Sequence, residues 1–275
     1  MVFSNQYYCL IAGLPGLTRD DRKLPLAVEE FREMAAGSLS ERDRRVMDLF
    51  FLTRDNAAVL RLLRKETPGA DAGTVYPLAV LEGEVTEPTG ALPAYLERFI
   101  VDFREERLPE GVLPENVLSG MYYDYLLGQR EGFVRRYAEF SLNVKNLVTA
   151  LNCRKHGREI AREVVGDNAF ARALRSSTAK DFGLSMDYPY VERVASLVEN
   201  PNLVERERGL DLLAWDFIEE SLTFEYFSLE RVLGFLLELM IAERWSRMNS
   251  ESGRRVFTEM VERFRRSFEF AEEFK

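Results

Sequence analysis

FSLNVKNLVTALNCRKHG, residues 140–157, is the stretch around which the chain is organised and its best clue to function. Leu142, Leu147, Val148 and Leu151 recur at helical spacing, which predicts the second half of one long helix over about 130–155. Asn143, Lys145, Asn146, Asn152 and Arg154 interrupt that apolar stripe with polar groups. Plain core is rarely so polar, because each buried amide needs a hydrogen-bond partner. Gly157 stands where a C-cap glycine belongs. Arg154, Lys155, His156 and Arg158 place positive charge where it complements the negative end of the helix dipole, or where it docks an acidic partner. The polar stripe itself has two readings, a lock between helices or a docking surface.

On either side of this stretch the chain also reads as helix. Downstream come short helices at 159–165 and 169–176, then YVERVASLVEN, stopped by Pro201. Three long helices follow: LVERERGLDLLAWDFIEESL capped by Asn202, LERVLGFLLELMIAERWSRM capped by Ser228, and a last one over 254–274. Upstream, Pro114 starts ENVLSGMYYDYLLGQ, and Pro93 lies near the start of ALPAYLERFIVDFREER with its amphipathic face. Nearer the start are a helix from Leu24 to Gly37 with Pro25 in its first turn, ERDRRVMDLFFL capped by Ser40, and a helix over 56–65. Between them, 67–90 is punctuated by Pro68, Gly69, Gly73, Pro77, Gly83, Pro88 and Gly90 and is expected to be a long connection. The run 7–12, closed by Gly13, Pro15 and Gly16, reads as a strand or extended segment. It lacks the Lys-Ser/Thr of a phosphate loop. The expectation is therefore an all-α, multi-helix single domain over 1–275, with lobes at 1–66, 91–200 and 201–275.

Composition narrows the function. Lys plus Arg is 37 against 46 for Asp plus Glu, a net charge of −9, which repels nucleic-acid backbones and anionic lipid. Cys9 and Cys153 have no CxxC spacing, so reduced cytoplasmic thiols are expected. No signal peptide is evident, and the longest apolar run, 232–242, is too short to span a membrane and contains Glu238. His156 is the only histidine, which leaves no ligand set for a helical di-metal centre and no His-based catalytic triad. Asp211, Asp216, Glu219, Glu220, Glu225, Glu238 and Glu243 read as solvated helix faces. No catalytic residue, cofactor or metal is expected. The 19 Phe and 11 Tyr are expected to divide between core and interface anchors.

Asn143, Lys145, Asn146, Leu147, Leu151, Arg154 and Lys155 stand near the positions of an Asp/Asn-x-x-Asn-Leu-Lys-x-x-Leu-Arg-x-Lys pattern. The stretch thereby resembles the C-subunit family of V-type and archaeal-type ATPases, whose eukaryotic members are the d subunits. FSLERVLGFLLELMIAERWSRM resembles that family's late helix. YYCLIAGLPGL, KLPLAVEEF and DLFFLTRDN resemble an uncharacterised bacterial family encoded alongside V-type ATPase subunits. The chain is shorter than typical members of the C-subunit family.

The resemblance implies a roughly funnel-shaped protein of similar helical lobes on the cytoplasmic face of the proteolipid ring. It also implies a non-catalytic coupling subunit, peripheral to the inner membrane, that helps link ion movement to ATP turnover. Its partners would be the central stalk subunits and the ring. Asn143, Lys145, Asn146, Arg154 and Lys155 would form its interface or its polar lock. The alternative expectation is a helical adaptor or assembly factor for that complex, and a third is a carboxylate-based enzyme.

Overall fold

The computed structural model describes residues 7–19, 24–69 and 73–249. All regular structure in these residues is helical, as the periodicity predicts. The first helices are α1 (Tyr8–Ala12), α2 (Val28–Ser38), α3 (Glu41–Asp48), α4 (Leu52–Leu63), α5 (Leu78–Thr86) and α6 (Ala94–Arg104). Next come α7 (Pro114–Leu127), α8 (Gly132–Lys155), α9 (Ile160–Glu163), α10 (Ala169–Ser176), α11 (Tyr190–Glu199), α12 (Leu203–Ser221) and α13 (Leu229–Asn249). The expected helix at 254–274 lies outside the described residues.

Several ends are set by the residue types that predict them. Pro114 occupies the first turn of α7, where its missing N–H costs nothing. Asn202 Oδ1 accepts from the Val204 N–H, and Ser228 Oγ accepts from the Arg231 N–H. Beyond α8, Gly157 takes φ +64° while the Arg158 N–H reaches back to the Cys153 carbonyl at 2.8 Å, a Schellman closure.

The chain divides into two compact units, 41–217 and 1–40 with 218–275, so one boundary falls within α12. In the larger unit α8 is the central helix, packed by α7, α9, α10 and α11, while α4 packs on α5, α6 and α7. Its core gathers Phe140, Leu147, Phe170, Leu174 and Val194, and the Phe140 and Phe217 rings stack 4.1 Å apart. In the smaller unit α2 packs on α13, with Phe31 against Phe235 and the Val28 N–H donating to Glu243. Every residue from Val232 to Leu239 is buried, so this part of α13 is enclosed on all faces, as an all-round apolar helix should be.

Two expectations are corrected. The run at 7–12 is the short helix α1 rather than an extended segment, with the Tyr7 N–H donating to the Phe227 carbonyl at 2.8 Å. The supposed connection at 67–90 contains α5. Only Leu81 and Glu84 of α5 are buried, so the helix has no apolar stripe from which periodicity could be read. It is fixed at its ends instead. Asp55 of α4 accepts the Val75 and Tyr76 N–H groups, each at 2.9 Å, just before α5. Glu84 accepts the Thr89 and Gly90 N–H groups just after it.

Candidate functional site

The polar residues of α8 fall on two faces. Asn143, Asn146 and Arg154 recur at spacings of three and eight, which puts them along one side of the helix. Asn146 is fully buried and bonds the Val165 backbone twice, donating to its carbonyl at 2.8 Å and accepting its N–H at 3.0 Å. Asn143, 1% exposed, accepts from Asn168 Nδ2 at 2.8 Å and donates to the Tyr190 hydroxyl at 3.4 Å. Asn168 in turn caps α10 by accepting the Ala171 N–H. Burial pushes the Tyr190 hydroxyl up to about 12, against the contrary pull of the Asn143 bond.

Arg154 closes this seam at its C-terminal end. Its guanidinium donates to the carbonyls of Ser177, Ala179 and Lys180 and lies 3.5 Å from the centre of the Phe182 ring. Together the three residues bind three separate stretches of the 165–190 segment to α8. The backbone groups they satisfy belong to irregular chain, which has no ladder of its own to supply partners.

Lys145 points elsewhere. Its ammonium donates to Ser119 Oγ of α7 and sits over the Tyr123 ring at 5.8 Å. Burial holds its pKa below the usual lysine range. With Asn56 of α4 and Tyr122 and Tyr123 of α7, it lines a cleft of about 360 Å³. Lys155 is exposed in the last turn of α8, and the neighbouring Arg158 pairs with Glu163. The five residues expected to act together are thus divided: three lock the chain, one enters a cleft, and one faces solvent.

The late-helix acids are divided as well. Asp216 pairs with Arg193 at 2.7 Å, Glu219 pairs with Arg19, and Glu238 is buried in α13. Among the described residues no group of three His, Cys, Asp or Glu is placed to hold a metal, and no helix is long and apolar enough to cross a membrane.

The family described as "Protein of unknown function (DUF2764)" matches residues 4–268, which takes in both units and the whole α8 seam. The chain belongs to the DUF2764 family. No curated protein and no solved structure matches it.

This DUF2764 member also carries a surface feature that periodicity does not reveal. The turn between α12 and α13 exposes Phe224 at 85% and Tyr226 at 67%, while Phe227 packs against the exposed Tyr8 in a tilted pair with ring centres 4.5 Å apart. The sequence signal was present in TFEYF, three aromatics between one helix end and the Ser228 cap, where a core role is geometrically awkward. Asn168, Tyr190 and Asn56 carry no such signal. Each is an ordinary polar residue until the fold brings its partner alongside.

Proposed function

We propose that the chain is a non-catalytic coupling subunit of a bacterial V-type ATPase, working where the central stalk meets the proteolipid ring. The observation that carries the docking role is the aromatic tip of Phe224, Tyr226 and Phe227 with Tyr8. Large aromatic side chains held in water gain little for the folded chain alone, and they are the residue types that anchor protein interfaces. The net charge of −9 favours a protein partner over lipid or nucleic acid. The resemblance of 140–157 to the C-subunit family supplies the choice of complex. In this reading the α8 motif specifies architecture, because its amides and Arg154 bond the chain's own segments, and recognition belongs to the exposed surface.

The test is co-purification. The chain carries an affinity tag in its own host, membranes are solubilised gently, and mass spectrometry asks whether stalk and proteolipid subunits come with it. Stoichiometric recovery is expected, as is its loss in a Phe224→Ser, Tyr226→Ser double variant whose unfolding curve is unchanged. Substoichiometric recovery with normal coupling would mark an assembly factor instead. A fully coupled V-type ATPase isolated without this chain would overturn the proposal.

A further inference from the structure

The cleft beside α8 holds a cation, Lys145, that no carboxylate among the described residues neutralises. Lys145 makes one hydrogen bond, to a serine, and one ring contact, and no carboxylate pairs with it among the described residues. The acid in the cleft wall, Glu115, is engaged by Arg64 at 2.6 Å. Withdrawing an ammonium from water without a counter-charge is unfavourable, and the depressed lysine pKa reflects it.

A second polar side chain lines the same space. Asn56 is 8% exposed, and its Oδ1 accepts from the Tyr95 hydroxyl at 2.8 Å. Its Nδ2 has no protein partner among the described residues, although the residue lines the cleft. Thr53 adds one hydroxyl, and the remaining walls, Ala57, Leu60, Leu118, Tyr122 and Tyr123, are apolar or aromatic. A volume of about 360 Å³ lies within the range of small-molecule sites. A larger cleft of about 700 Å³ near α3 has Arg42 and Arg45 paired with Glu131 and Glu41, so those cations are already compensated.

We infer that the Lys145 cleft binds a small organic carboxylate with a flat apolar body. The carboxylate accepts from Lys145 Nζ and Asn56 Nδ2, and the body lies against Tyr122, Tyr123 and Leu60. A single lysine balances one negative charge. A phosphate group would call for the several cations or converging backbone N–H groups that such sites assemble. The inference rests on the cleft alone and is independent of any role in an ATPase.

Benzoate, benzamide and inorganic phosphate are the probes, titrated into the full-length purified chain by calorimetry and by ligand-observed NMR. Benzoate is expected to bind at millimolar concentration, benzamide and phosphate far more weakly. Lys145→Met should weaken benzoate by on the order of tenfold or more, the loss of one charge-assisted hydrogen bond, and Lys145→Arg should retain most of the binding. Should Lys145→Met fail to fold, the wild-type Lys145 ammonium is followed by NMR after reductive ¹³C-methylation. Saturating benzoate must then raise its pKa. Benzoate binding that survives Lys145→Met, equal binding of phosphate or benzamide, or a Lys145 pKa unmoved by benzoate would each overturn the inference.

Discussion

Replacing Asn146 with leucine separates a lock from a docking surface. The side chain is fully buried and holds both backbone groups of Val165, itself buried. Leucine has nearly the same size, so the cavity term is small and the loss is electrostatic. An N–H and a C=O are left without partners in the interior, at about 1–3 kcal/mol each, or about 2–6 kcal/mol together. At roughly 2–4 °C per kcal/mol for a domain of this size, the melting temperature should fall by on the order of 10 °C. Urea unfolding followed by circular dichroism measures the free-energy loss, and hydrogen exchange at the Val165 amide locates it. Lys155→Leu, at an exposed position of the same helix, serves as the control and should stay within about 0.5 kcal/mol of wild type. If Asn146→Leu also stays within that margin, the lock is refuted, and a loss of partner binding without a loss of stability would return the motif to an interface.

Glu238 should make stability depend on pH. Burial pushes its carboxyl up to about 7 from an ordinary 4.5, with Arg231 and Arg19 pulling down and Glu219 pushing up. The folded chain therefore holds this proton more tightly than the unfolded chain does. Its contribution is complete below about pH 4.5 and is lost as pH rises through about 7, for a total of about 3 kcal/mol. Glu238→Gln should flatten that slope in unfolding curves taken from about pH 5 to 8, and a wild type already flat there would contradict the assignment. Asp55→Ala removes the acceptor of the Val75 and Tyr76 N–H groups, so about 1–3 kcal/mol should be lost and limited proteolysis should open the chain ahead of α5. Gly157→Ala forces a side chain into φ +64°, which should lower stability by about 1 kcal/mol, read as a Tm shift of a few degrees. No shift would mean that the α8 terminus relaxes freely.

The helical class, the extent of α8 and the caps at Pro114, Gly157, Asn202 and Ser228 were legible in the residues alone. They follow from short-range rules of period and backbone conformation, which act within a few residues. Asn143, Asn146 and Arg154 also stood out as unusual, since polar groups on an apolar stripe must be answered somewhere. The helix α5 did not, because its two buried residues leave no period and its ends are held by Asp55, some twenty residues upstream, and by Glu84.

What answers the α8 stripe emerged with the packed fold. The partners of Asn143 lie at Asn168 and Tyr190, those of Asn146 at Val165, and those of Arg154 at 177–180. Folding also turned Lys145, two residues from Asn143, into a different cleft, because a step of two carries a residue to the far side of a helix. Hydrogen bonds and charge pairing between distant segments depend on where packing brings them, and no local pattern of residues encodes that distance.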